Sequence, residues 1–354
     1  MNRHFSAHTM KVLVTGGAGF IGCNYVYTHL EKRPADTLVV LDALTYSGRR
    51  EHLKEAEAKG VKFAQGRIED RALVYELFKT EKFDAVVHFA AETHVDRSIK
   101  DPSIFVTTNV LGTQTLLDAA RDFKVQRFHH ISTDEVYGDL GFGSTEKFTE
   151  ERLLRPSNPY SASKAGSDLL CLSYLRTFGV PVTISRCSNN YGPFQSEENF
   201  IPVLIGKALK NEPLPLYGTG KNVRDWLYVR DHCEAILQLL ENGKIGEIYN
   251  IGADNDQENL MVAKMILKLL DKPESLIQFV EDRPGHDERY SMNYSKMEKE
   301  LGWRPSVSFE EGMRETLAWY IVPAYERSYS RRGDRLTARA ADQSHQQTSA
   351  SDLR

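Results

Sequence analysis

Over roughly its first 190 residues the chain alternates short runs of apolar, β-branched residues with longer stretches of helical periodicity. The runs are Lys11–Thr15 (KVLVT), Thr37–Asp42 (TLVVLD), 61–64, 85–89 (AVVHF) and 128–132. None shows a clean in–out alternation, which predicts strands covered on both faces. The helical stretches lie at 23–32, 50–59, 70–80, 106–123 and 160–178. Strand–helix alternation of this kind predicts an α/β fold with a doubly wound parallel sheet and right-handed crossovers.

After about residue 190 the rhythm changes. Turn-rich segments appear (YGPFQSEEN, YGTGKN, DRPGHDE), with helices near 200–210 and 231–242 and a last helix near 310–320. The expected organisation is a dinucleotide-binding domain over 10–190 that also carries the catalytic residues, and a smaller, mainly substrate-binding portion over 191–325. Residues 328–354 contain few large apolar side chains to offset the entropy of ordering, so this tail is expected to stay disordered.

The 354 residues carry a formal charge of -4, which gives no global field for nucleic acid. No uninterrupted apolar run reaches the ~18 residues of a membrane span. Residues 1–9 are polar and lack a secretory core, and Met10 stands directly before the first strand. Cys23, Cys171, Cys187 and Cys233 show no CxxC spacing, which argues against zinc and against a disulfide framework and fits a reducing cytoplasm. No metal is expected.

The first run leads into Gly16-Gly17-Ala18-Gly19-Phe20-Ile21-Gly22. Glycines here allow a tight turn and close approach to a pyrophosphate, and the helix that follows offers free N–H groups and a positive dipole end. Asp42 ends the second run, where an acid accepts hydrogen bonds from an adenosine ribose and disfavours a 2′-phosphate. The loop, the helix and the acid together make the fold Rossmann-type and favour NAD over NADP. The GxxGxxG spacing suggests the short-chain dehydrogenases.

Tyr160 and Lys164 form a YxxxK pair, four residues apart and so on one helix face. An ammonium beside the phenol is expected to lower its pKa and make Tyr160 a base. Thr133, at the end of the fifth predicted strand, can bond the same substrate oxygen. Asp134 and Glu135 follow it directly. Alcohol oxidation needs no adjacent carboxyls, whereas loss of water needs a base for a C–H proton and an acid for the departing hydroxyl. Two carboxyl groups in different environments can divide that work.

With these residues in place, the sequence resembles the dTDP-glucose 4,6-dehydratases over residues 11–320. The matching stretches are VTGGAGFIG (14–22), HFAAETHVDRSI (88–99), STDEVYG (132–138), NPYSASKAGSD (158–168), RCSNNYGP (186–193), LPLYGTGKNVRDWLYVRDH (214–232) and RPGHDERY (283–290). The resemblance implies that Tyr160 takes the O4 proton, Glu135 removes the C5 proton and Asp134 protonates the leaving C6 hydroxyl. It implies cofactor contacts from Ile68, Ala90 and Thr93 as well as from the glycine loop. On the substrate side it implies diphosphate contacts from Asn190 and Arg224, base packing by Pro215 and Tyr217, and further nucleotide contacts from Asn259 and His286. A homodimer built on the helices near 106–123 and 160–178 is usual in the family. Three positions depart from its pattern. Asn199 stands where the family has a lysine and looks more like UDP-sugar enzymes, so UDP-glucose and UDP-N-acetylglucosamine are alternative substrates. Arg67 replaces an adenine-binding aspartate, and Thr93 replaces a serine. A UDP-sugar 4-epimerase, a decarboxylase or a non-catalytic NAD-binding or scaffolding protein are the competing readings; Asp134-Glu135 argues against the first two, and the retained Tyr160, Lys164, Asp134 and Glu135 together argue against the last.

Overall fold

The computed structural model describes residues 9–282, 285–322 and 329, so all but Tyr329 of the tail expected to be disordered lies outside the described residues. Seven parallel strands form the main sheet: β1 (Lys11–Thr15), β2 (Thr37–Asp42), β3 (Lys62–Gln65), β4 (Ala85–His88), β5 (Arg127–Thr133), β6 (Val182–Cys187) and, from much later in the chain, Ile248–Ile251. Three short strands between the last two are β7 (Asn189–Tyr191), β8 (Leu214–Tyr217) and β9 (Val223–Tyr228), which makes Ile248–Ile251 β10. The sheet order is β10-β6-β5-β4-β1-β2-β3. The direction of winding reverses between β1 and β4, and open sheets of this type bind ligands beyond the carboxyl ends of the strands at such a point.

Continuous apolar runs arise because successive residues feed cores on opposite faces. Val12 and Val14 pack in one cluster with Val40 and Val87, while Leu13 packs in the other with Val39, Leu41 and Val86. The first cluster continues without a break into Ile236, Leu240, Val262 and Leu317, so the expected boundary near residue 190 is crossed by a shared core. Helix Val229–Asn242 packs on helix Phe20–Lys32, and β10 pairs with β6. Two small sheets, β7–β9 with β11 (Asp256–Glu258) and β8 with β12 (Ile277–Val280), stand over the carboxyl ends of the main one.

The helix expected at 106–123 is divided into Pro102–Phe105, a wider π-helical stretch Val106–Gly112, and Thr113–Asp122. The cause lies at Asn109. Its carbonyl accepts the hydroxyls of Thr113 (2.6 Å) and Ser167 (2.7 Å), which compete with the regular ladder. Its buried amide meanwhile bonds both backbone groups of Glu92 and the Ser163 hydroxyl. The π-helical stretch therefore ties the end of β4 to the helix that carries Tyr160.

Candidate active site

The carboxyl ends of the strands open into a cavity of about 590 Å³, within the usual range for a small-molecule site. Every residue assigned above to catalysis, cofactor or substrate lines it.

One end is built by the glycine loop. Gly16 has φ +71°, in the left-handed region, and a Cβ on Gly22 would stand 2.2 Å from the Gly16 carbonyl oxygen. The turn therefore closes only with glycine, and it delivers Gly19, Phe20 and Ile21 to the cavity at the start of helix Phe20–Lys32. Asp42 staples this loop to β2, accepting the Ala18 N–H (2.9 Å) and the Leu44 N–H (2.8 Å). Burial pushes its carboxyl up, and the two N–H donors oppose that. Ile68 is buried on the next wall, with Ala90 and Thr93 opposite it after β4, where the Thr93 N–H reaches the Tyr46 hydroxyl (3.3 Å). Arg67 is half exposed at the rim and pairs with Glu69. These features fit a dinucleotide: a cradle only glycine can line, a helix N-terminus and an acid at its side.

The catalytic candidates meet at the middle. Helix Pro159–Phe178 starts from a capping box, in which the Asn158 side chain accepts the Ser161 N–H (2.9 Å) and the Ser161 hydroxyl accepts the Asn158 N–H (3.2 Å). Pro159 presets the first turn, so Tyr160 enters the cavity at a fixed angle. Lys164, one turn on, is buried and donates to the Ile131 carbonyl at 2.7 Å. The expected lowering of the Tyr160 phenol is corrected here. Burial pushes it well above the ordinary value and Glu135 adds to this, while a Thr133 hydrogen bond opposes both. With its ammonium on a carbonyl, Lys164 does not outweigh the burial.

Thr133 caps a short 3₁₀ turn, Asp134–Tyr137, accepting the Glu135 N–H at 3.3 Å. The turn separates the two carboxyls. Asp134 is fully buried, bonded to the Thr133 hydroxyl at 3.2 Å through one oxygen, with no hydrogen bond to the other among the described residues. Burial holds it well above the usual carboxylate range, Glu135 pushes the same way, and Arg224 opposes. Glu135 is only partly buried, and its carboxylate lies 3.5 Å from the Asn158 amide.

The far end comes from the C-terminal half. Arg224, on β9, donates to the carbonyls of Val223 (2.8 Å) and Asp287 (2.9 Å), with its guanidinium over the Tyr290 ring. Pro215 and the exposed Tyr217 lie on β8, and His286 stands edge-on to Tyr217 while bonding Asp282 (2.7 Å). Asn199 caps helix Phe200–Leu209, and Asn259 begins helix Asn259–Leu269. Asn190 is held by buried His232, whose Nδ1 meets its side-chain oxygen at 2.9 Å. Sequence reasoning missed His232, and also Cys187, Ser188, Asn189 and Gln195, which line the same wall. All but Gln195 lie inside the matched stretches RCSNNYGP and VRDH, and the shared motif was the available signal.

Comparison with known proteins adds to this geometry. The family model for GDP-mannose 4,6 dehydratase matches residues 13–316. The dTDP-glucose 4,6-dehydratase of Xanthomonas campestris pv. campestris (strain B100) is 49% identical over 88% of this chain and 93% of its own. DesIV, the dTDP-glucose 4,6-dehydratase of Streptomyces venezuelae solved with NAD bound, is 47% identical at a TM-score of 0.85, over 88% of this chain and 97% of that one. The UDP-glucose 4-epimerase of Thermus thermophilus, a complex with NAD, is 33% identical at a TM-score of 0.81, over 88% and 99%. The fold is thus shared with epimerases while the identity rises toward dehydratases, and the chain belongs to the dTDP-glucose 4,6-dehydratase family.

Proposed function

We propose that this protein is an NAD-dependent hydro-lyase that converts dTDP-glucose into dTDP-4-keto-6-deoxyglucose. The observation that carries the proposal is the unequal carboxyl pair, Asp134 buried and pushed above the usual carboxylate range and Glu135 more exposed, beside Thr133, Tyr160 and Lys164 in one cavity. Relatives named dTDP-glucose 4,6-dehydratase, and a solved one holding NAD, support it.

Gly16, Gly19, Phe20, Ile21 and Gly22 would hold the pyrophosphate of NAD and Asp42 its adenosine ribose, with Ile68, Ala90 and Thr93 along its length. When bound, NAD would supply the acceptor for the C4 hydride and the donor of a hydride to C6, and its positive charge would oppose the upward push on Tyr160. Tyr160 takes the O4 proton, with Thr133 bonded to the same oxygen and the Lys164 charge favouring the phenolate. The new 4-ketone acidifies C5–H; Glu135 removes that proton and returns it to C5 as C6 receives the hydride, while the O4 proton taken by Tyr160 balances the one Asp134 gives up. Asp134, already carrying a proton, gives it to the departing C6 hydroxyl. Arg224 and Asn190 hold the diphosphate, an Arg fork suiting phosphate oxygens. Asn199, Asn259 and His286 add polar contacts, and Pro215 and Tyr217 pack on the base.

The protein acts as a homodimer. Val106, Leu111, Leu169 and Phe178 are 56%, 48%, 58% and 49% exposed on the helices at 102–122 and 159–178. These two helices pack on each other and offer an apolar face to a second copy.

The test is incubation with dTDP-glucose, UDP-glucose and UDP-N-acetylglucosamine, followed by mass spectrometry. dTDP-glucose is expected to lose one water. Loss of water from a UDP-sugar alone would move the substrate and keep the reaction, whereas inversion at C4 with no loss of water would make the protein an epimerase.

A further inference from the structure

Helix Pro159–Phe178 presents a line of chemical groups where a buried helix face ordinarily presents apolar ones. Tyr160, Lys164 and Asp168 are spaced by four and therefore stack on one face. Asp168 is fully buried and reaches neither solvent nor the cavity. One of its oxygens accepts the Arg186 Nε–H from β6 at 2.9 Å. The other lies 3.4 Å from His130 Nε2 on β5 and takes no aligned hydrogen bond among the described residues. Arg186 in turn donates to the Tyr137 hydroxyl (2.9 Å), which donates to Asn250 on β10 (2.7 Å). Lys164 Nζ, one turn away, is bonded to the carbonyl of Ile131, the residue after His130.

We propose that Asp168 is a positioning residue of the catalytic centre, whose buried carboxylate is the counter-charge that keeps Lys164 cationic behind Tyr160. The proposal rests on the dehydratase reading of Tyr160 and Lys164. An isolated buried ammonium sheds its proton, and an ion pair in the interior persists only where its neighbours compensate both charges. The groups around Lys164 show why Asp168 is that neighbour. On its own helix stand Tyr160, Asp168 and Cys171, on β4 His88, on β5 and its end His130, Asp134 and Glu135, and on β6 Arg186 and Cys187. Burial pushes the two histidines down and pushes Asp134, Cys171 and Cys187 up, in each case toward the uncharged form. Glu135 bonds Asn158 at the far end of Tyr160. Burial also pushes Lys164 down, and Asp168 is the foremost group opposing that. Burial pushes the Asp168 carboxyl up, and the His130 contact and then the Arg186 guanidinium outweigh it, so both serve the lysine indirectly.

The test compares kcat against pH for the NAD-loaded wild type, Asp168→Asn and Arg186→Gln, with melting temperatures and the Lys164 ε-carbon NMR titration alongside. In Asp168→Asn the alkaline limb and the lysine titration are expected to move down together by about one pH unit or more. Arg186→Gln breaks the same salt bridge but leaves the carboxylate with its His130 contact, so its limb moves less than that of Asp168→Asn even where its melting temperature falls. An unmoved limb and titration in Asp168→Asn, or an equal movement in Arg186→Gln, overturns the proposal in favour of a purely structural ion pair. Should Asp168→Asn fail to fold, the double variant Asp168→Asn/Arg186→Gln leaves no orphaned charge and is read the same way. A wild type that dehydrates no nucleotide sugar would refute the dehydratase reading instead, and the NMR titration would still decide the charge on Lys164.

Discussion

Asp134 and Glu135 are one peptide bond apart and both line the cavity, yet one is buried and the other only partly so. Their division of labour makes a sharp prediction. Glu135→Gln keeps the shape and removes the base, so dehydration is expected to fall ~10²–10⁴-fold, with bound NAD, read by its absorbance, unchanged. Unimpaired turnover would take Glu135 out of the mechanism. The types and spacing of Thr133, Asp134, Glu135, Tyr160 and Lys164 were legible in the sequence because chemistry constrains them. The sense of the Tyr160 shift was not. It depends on how deeply the phenol is buried and on which partner Lys164 chooses, and neither follows from four-residue spacing.

At the level of elements, the glycine loop and the capping box do the positioning. Gly22→Ala places a methyl against the Gly16 carbonyl, so the loop must open, and the purified protein is expected to lose its bound NAD while remaining folded. An unchanged NAD content would show that the turn has slack. Asn158→Ala removes both the helix cap and a neighbour of Glu135, at a cost of about 1 kcal/mol in stability by chemical denaturation together with a lower kcat. Strands β1, β2 and β4 were readable from their apolar runs. The sequence reading passed over β6 (VTISRC) and β10 (IYNI), whose polar residues interrupt the pattern. Those polar groups are satisfied within the fold. Arg186 pairs with Asp168, Ser185 and Thr183 bond the His129 ring, and Asn250 bonds Tyr137, so partners distant in sequence permit what local hydropathy argues against.

Across the whole molecule, buried imidazoles set a pH limit. Burial pushes His129 down to about 3, His130 to about 4 and His232 to about 3. The unfolded chain protonates these rings near pH ~6.5 and the native one resists, so stability is full above that value and is lost as pH falls toward 4. The expected loss is about 1.4 kcal/mol per pH unit for each ring, and calorimetric melting temperatures between pH 7 and 4.5 measure it. Flat melting temperatures over that range would contradict it. On the outer surface, the proposed homodimer predicts that Leu169→Asp yields monomers in sedimentation experiments, while a dimer unaltered by the change would move the interface elsewhere and a monomeric wild type would refute the dimer. The pairing of β10 with β6 has a consequence for synthesis on the ribosome. When β6 emerges, one of its edges waits for a strand about 60 residues downstream, which takes roughly 3–12 s to make. During that interval the nascent chain carries an open, β-branched edge, the kind of template to which other chains add. Expression of the first 190 residues alone would make that interval permanent, and aggregation is the expected result.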